Sequence, residues 1–89
     1  MTQKEFADKC LLIGGEFDRY VLEHPEVLDQ IPNGAAIILL PKDDPEFCEK
    51  NMKLARQIAE RGEAVVYMEF DAIVPQRSRL ANPRILETA

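Results

Sequence analysis

Four acidic side chains are the residues of this chain whose types and positions could support chemistry. Asp43 and Asp44 follow one apolar run, and Glu69 and Asp71 belong to the end of a second one. If both runs are parallel strands, they finish at the same edge of a sheet, so these carboxylates could converge there. Four carboxylates would suit a hard divalent cation. The alternative is that they are solvated acids, with Asp44 capping a helix that begins at Pro45.

The other reactive side chains give no catalytic arrangement. His24 precedes the first apolar run and the carboxylates follow it, so about 20 Å of strand separates them, and His24 is expected to cap a helix end. Cys10 and Cys48 lie on apolar stripes and are expected to be reduced, buried thiols. The loop at residues 41–44 contains no glycine and is acidic, which excludes a phosphate-binding loop. These features argue against an enzyme and indicate no cofactor.

Composition places the chain among small globular domains. It has 89 residues, of which 46% are hydrophobic and 30% charged, with a formal net charge of −5. A negative field repels phosphate backbones, so no nucleic-acid partner is expected. The longest apolar run, residues 35–40, is too short to cross a bilayer, and the polar N-terminus does not resemble a signal peptide. We expect a cytoplasmic protein without a membrane partner.

The first predicted element is a helix from Gln3 to about Glu23. Its main apolar stripe recurs at spacings of three and four, through Phe6, Cys10, Ile13, Phe17 and Tyr20. A second, weaker stripe on the opposite side consists of Leu11, Gly15 and Leu22, and it is a candidate interface. The Gly14–Gly15 pair is open to two interpretations, a kink or a close approach by another backbone.

A strand, a helix and a strand follow. The apolar residues 35–40 predict a strand covered on both faces, the pattern of residues 45–61 predicts an amphipathic helix, and alternation over residues 64–74 predicts a second strand. This order predicts an α/β fold, α-β-α-β, containing a right-handed parallel βαβ unit. Because two strands alone make a marginal sheet, a third strand is expected from the C-terminal tail or from another subunit.

The C-terminal end differs in charge from the rest of the chain. Residues 1–72 carry a net charge of −7, whereas residues 73–89 carry +2, with arginines at positions 77, 79 and 84. We expect a single domain at residues 1–75 and a basic tail at residues 76–89. The tail, with Arg77 and Arg79, is either a strap across its own acidic domain or an arm that docks on a partner, which could be a second copy.

Two stretches carry a family resemblance: EFDRYVLEHPEVLDQIPNGA, residues 16–35, and LLPKDDPEF, residues 39–47. Their shared features are an aromatic–Asp–Arg–Tyr helix end, a His-Pro-Glu turn, an Ile-Pro-x-Gly-Ala strand start and a Leu-Pro-x-Asp-Asp-Pro-Glu strand exit. They resemble a small uncharacterised prokaryotic family of about 90 residues, a domain of unknown function. The resemblance covers residues 3–75 and leaves the tail outside. It implies an α/β fold and assigns no activity.

These observations favour a non-enzymatic protein-interaction module. We expect a homodimer, because the predicted apolar faces exceed what one small domain can cover, and another protein partner is conceivable, such as an accessory or antitoxin-like one. The alternative function is a small-ligand or divalent-metal-dependent activity at the acidic edge formed by Asp43, Asp44, Glu69 and Asp71.

Overall fold

The computed structural model describes residues 1–88 and shows two helices and two strands in the expected α-β-α-β order. Helix α1 spans Gln3–Glu23, and a short 3₁₀ helix follows at Pro25–Gln30. Strand β1 spans Ala36–Pro41, helix α2 spans Pro45–Glu60, and strand β2 spans Val65–Phe70. The α/β fold class predicted from the sequence is therefore confirmed.

Helix α1 begins at a side-chain cap and ends before a proline. The Thr2 hydroxyl accepts a hydrogen bond from the Glu5 N–H, and the Glu5 carboxylate accepts one from the Thr2 N–H, which together form a capping box. His24 is the C-cap, as expected, and Pro25 begins the 3₁₀ helix. The helix runs unbroken through Gly14 and Gly15. Outside the helix's own backbone, no atom lies within 4 Å of a Cβ built at either glycine, so no other part of the single chain approaches them closely.

The two strands pair in parallel. Ala36 lies opposite Val65, and Pro41 lies opposite Phe70 at the other end. Strand β2 was predicted to continue to residue 74 but ends at Phe70. Its last ladder bond is accepted by the Phe70 carbonyl from the Lys42 N–H, 2.8 Å away, and β1 turns into α2 immediately afterwards. The alternating pattern persists to residue 74, but no partner strand exists there to bond with it.

Helix α2 packs on β1 and bonds part of its outer edge. Phe47, Asn51 and Ala55, spaced by four, are its buried residues. The Asn51 amide Nδ2 donates to the Leu39 carbonyl, 2.9 Å away. Pro41 has no N–H to offer, and its carbonyl accepts from the Asp44 N–H at 3.2 Å. The C-terminal half of the β1 edge is therefore partly occupied.

The core of the described domain is small. The buried hydrophobic side chains are contributed by both helices and by β1, namely Ile13, Ile38, Pro41, Phe47 and Ala55. Residues 71–88 are exposed at every position and belong to no helix or strand. The described part of the tail therefore provides no third strand. Among residues 1–88, no helix is both long and apolar enough to cross a membrane.

The Asn51 side chain provides the first test of this fold. Replacing Asn51 by alanine removes the only donor to a half-buried strand carbonyl and opens space beside β1. We expect the free energy of unfolding to fall by about 1–3 kcal/mol, the usual cost of an unsatisfied buried polar group. Gln57→Ala on the exposed face of α2 is the control and should change stability little. Urea unfolding followed by circular dichroism measures both, and equal losses in the two variants would contradict the assignment.

Candidate functional site

Asp44 occupies a structural position at the start of α2. Its Oδ1 accepts from the Phe47 N–H at 3.0 Å, and its Oδ2 accepts from the Lys9 ammonium group at 2.5 Å. These hydrogen bonds, with that from Lys9 the stronger, lower the pKa of the Asp44 carboxyl below its ordinary value. The Lys9 Nζ also lies 5.6 Å from the centre of the Phe47 ring. The helix-cap interpretation of Asp44 is confirmed.

The other three acidic residues do not join Asp44 in a binding site. Asp43 and Asp71 are exposed, and the Glu69 carboxylate lies 3.5 Å from the Lys42 ammonium group. Within residues 1–88, no three histidine, cysteine, aspartate or glutamate side chains are grouped closely enough to hold a metal ion. The acidic edge therefore consists of one helix cap, one surface ion pair and two solvated carboxylates.

The Lys9–Asp44 ion pair was not found by sequence reasoning. The two residues are 35 positions apart, and nothing in their local patterns links them. By contrast, the Thr2 capping box is predictable from the sequence, because a threonine is followed three residues later by a glutamate. The sequence interpretation did not use this signal.

The thiols and the histidine are held in unreactive settings. Cys10 and Cys48 are free, and burial raises the pKa of each thiol. The Cys48 Sγ also donates to the Pro41 carbonyl at 3.0 Å. The His24 ring stacks on Tyr20 with ring centres 4.3 Å apart, and its Nδ1 lies 3.3 Å from the Tyr20 carbonyl oxygen. Each of these groups is accounted for by local packing.

An apolar groove with a volume of about 420 Å³ lies between α1 and the sheet. The C-terminal half of α1 forms one wall, the sheet forms the floor, and residues 72–74 close one end. The apolar side chains that line it are Ile13, Phe17, Tyr20, Leu39, Met68 and Phe70. Two carboxylates, Glu16 and Glu69, also line it. The groove can accept apolar side chains carried by a segment that also bears positive charge.

The candidate interface residues of α1 lie outside this groove. Leu11 and Gly15 border a separate, more open hollow beside Ile37, and Leu22 is 82% exposed. Arg77 and Arg79 are exposed in the tail, and neither takes part in an ion pair among residues 1–88. The structure thus leaves all the candidate interface residues uncovered but does not bring them together.

Comparison with known proteins identifies the family. The sequence profile of a family described as a family of unknown function, DUF5647, matches residues 5–83. The chain belongs to DUF5647. The match agrees with the resemblance to a small uncharacterised family, but it extends past residue 75, so most of the tail lies inside the region shared with DUF5647. No curated protein and no solved structure matches the chain.

Asp44 offers a test that separates a cap from a ligand. Asp44→Ala removes both the cap and the ion pair and is expected to lower the melting temperature by several degrees, because the first turn of α2 loses its acceptor. Asp44→Asn keeps an acceptor for the Phe47 N–H and loses the charge, so its loss should be smaller. Asp43→Ala should leave the melting temperature unchanged. Equal losses in the Asp43 and Asp44 variants, reversed by Mg²⁺ or Ca²⁺, would instead establish a metal site.

The lowered pKa of Asp44 also predicts a pH dependence. The carboxyl binds protons less readily in the folded chain than in the unfolded chain, where its pKa is about 3.9. Its contribution to stability is therefore complete above about pH 4 and is lost as the pH falls through the folded-state pKa. The stability difference between the unsubstituted chain and Asp44→Asn should shrink over that acid range. Thermal unfolding from pH 7 to pH 2 measures it, and a constant difference would contradict the prediction.

Proposed function

We propose that this chain is a non-enzymatic protein-interaction module that functions as a homodimer, with the groove as part of the contact surface. The observation that carries the proposal is the amount of surface that the single chain leaves exposed. Its accessible surface is 7470 Å², whereas a compact monomer of 10.1 kDa would expose about 5,300 Å². Its radius of gyration is 17.9 Å, against about 12 Å for a compact domain of this length.

The surplus of roughly 2,200 Å² per chain has the size of an obligate interface. Stable dimers of ordinary size remove about 800 Å² from each partner, and obligate homodimers remove about 1,000–2,500 Å² or more. Large apolar side chains contribute to the surplus, among them Leu80 in the tail and Tyr20 and Val74 at the groove. Because burying such a side chain is worth about 1.5–3 kcal/mol, association offers this chain a core that it lacks alone.

The chemistry of the described residues supports binding rather than catalysis. The thiols have raised pKa values, His24 is stacked on Tyr20, and Asp44 is committed to Lys9 and the α2 backbone. A nucleophile or general base instead needs an activated, accessible group beside a polarising partner. We propose no cofactor for this module.

A second protein partner and a cytoplasmic location are parts of the same proposal. The stripe of Leu11, Gly15 and Leu22 stays uncovered when the groove is filled, which leaves a surface for a different protein, such as one that this module assists or restrains. The unpaired cysteines are compatible with a reducing compartment, which supports the cytoplasmic location.

Light scattering on the purified chain tests the dimer. We expect about twice 10.1 kDa across micromolar concentrations. Ile73→Asp places a charge in the groove wall, outside any helix or strand, and should shift the particle towards monomer because a charge is costly to bury. Leu22→Asp makes a comparable change on the opposite stripe and should leave the dimer intact. A 10 kDa particle for the unsubstituted chain at all concentrations would refute the homodimer.

A further inference from the structure

The β2 edge of the sheet is open along its whole length. The ladder begins with the Ala36 N–H donating to the Ala64 carbonyl at 2.9 Å and ends with Lys42 bonding Phe70. In a parallel ladder, alternate residues turn their backbone groups towards the partner strand, so the even-numbered residues of β2 face β1. The odd-numbered residues turn theirs outward. Among residues 1–88, no loop, helix or tail backbone group bonds to these outward residues, Val65, Tyr67 and Glu69.

The tail has the length and pattern of a strand that fits this edge. Residues 76–82, sequence QRSRLAN, lie between Pro75 and Pro83, and proline is tolerated at the ends of an edge strand. In an extended conformation, Arg77 and Arg79 project to one side, and Ser78 and Leu80 project to the other. The family match continues to residue 83, so residues 76–82 lie within the region shared with DUF5647.

The two sides of that segment match the two faces of β2. Tyr67 and Glu69 alternate with the apolar groove residues along β2, and Glu69 borders the groove, so both can receive Arg77 and Arg79 of a strand laid on the edge. Met68 and Phe70 lie on the groove face, where apolar surface is open to a leucine such as Leu80. A strand laid on the edge with its arginines towards Glu69 therefore points its leucine at the groove.

We infer that residues 76–82 of a second copy of this chain add to the β2 edge as a third strand, with each chain of a dimer donating its tail to the other. The inference rests on the homodimer proposed above and specifies which segment forms it. Charge complementarity supports it, because residues 1–72 carry −7 and residues 73–89 carry +2. Exchange also removes from solvent the two surfaces that make up the surplus, the exposed tail and the open groove.

The chain's own tail is a poorer occupant of its own edge. To lie beside β2 it would have to reverse direction within residues 71–75, a connection that contains no glycine. The single positive-φ residue of the region is Asn82, at the far end of the segment. Residues 72–74 instead continue past β2 and close the end of the groove. The five residues 71–75 can span about 17 Å, which is enough to reach a neighbouring domain.

Direct pairing of two β2 edges is also disfavoured. An antiparallel pair centred on Tyr67 would place Asp71 of each chain opposite Glu63 of the other. Like charges directly opposite each other destabilise a strand pair, and the symmetry would repeat this contact. The arginine-bearing tail meets the same acidic strand with opposite charge. Once the tail is added, its charged side chains and flanking prolines disfavour pairing of a further strand on its outer edge.

A cross-linking experiment with two different chains tests the exchange. One full-length chain carries Tyr67→Cys on the β2 edge, and the other carries Ala81→Cys, on the same side of the extended tail as Arg79. The two are mixed, incubated to allow subunit exchange, and treated at pH 7 with a short bifunctional maleimide. We expect a covalent heterodimer, because each reagent arm finds its cysteine on a different chain. The unsubstituted chain treated in the same way gives the background from Cys10 and Cys48, whose raised pKa values slow their reaction.

A chain carrying both new cysteines identifies the occupant. If the tail exchanges, its cross-linked product is a dimer. If the doubly substituted chain forms only intramolecular cross-links and the mixture of the two single variants forms none, the tail folds onto its own domain. That result would overturn the inference. The same holds if neither experiment gives a product above background.

Tail substitutions separate the exchange from the dimer itself. Leu80→Asp, in a side chain that is 76% exposed in the single chain, should weaken dimerisation at least about tenfold, as loss of an interface anchor does. Leu86→Asp, outside the proposed strand and similarly exposed, is the matched control and should leave the dissociation constant unchanged. If the unsubstituted chain is a dimer that Leu80→Asp leaves intact, the exchange is wrong and the homodimer stands. If the unsubstituted chain is a monomer, both proposals fail.

Discussion

The contacts of Asp44 join the three elements on which the fold depends. Its N–H donates to the Pro41 carbonyl at the end of β1, its Oδ1 caps α2 through the Phe47 N–H, and its Oδ2 holds Lys9 of α1. Phe6 of α1 then packs against Phe47 of α2, with ring centres 5.0 Å apart. α1 therefore joins the βαβ unit largely through this corner. Removing the corner would leave its C-terminal half without a fixed place over the sheet.

Sequence patterns were sufficient for the elements because each element carries its own signal. The four-residue spacing of Phe47, Asn51 and Ala55 defines the buried side of α2, and Asp44 followed by Pro45 marks where it begins. Capping of α1 at His24 follows from Pro25 in the same way. Such signals are local, so a single sequence is enough to read them.

The errors came from features that depend on a distant partner. The alternation over residues 64–74 predicts a strand, yet the strand ends at Phe70, because β1 has already turned away. Likewise, the sequence left open whether the carboxylates converge at one edge, and in the fold Lys9 and Lys42 each engage one of them. Periodicity indicates which face of a helix or strand a side chain occupies. It does not indicate which residue packs against that side chain.

The Asn51 amide bound to the Leu39 carbonyl has a consequence for aggregation. A sheet with two unpaired borders can be extended on both sides without limit, as in amyloid fibrils. Here a side chain and a proline occupy the C-terminal half of one border, so most of the unpaired strand backbone lies on the β2 side. A single chain of this kind offers fewer templates for fibril growth than a sheet with two open borders.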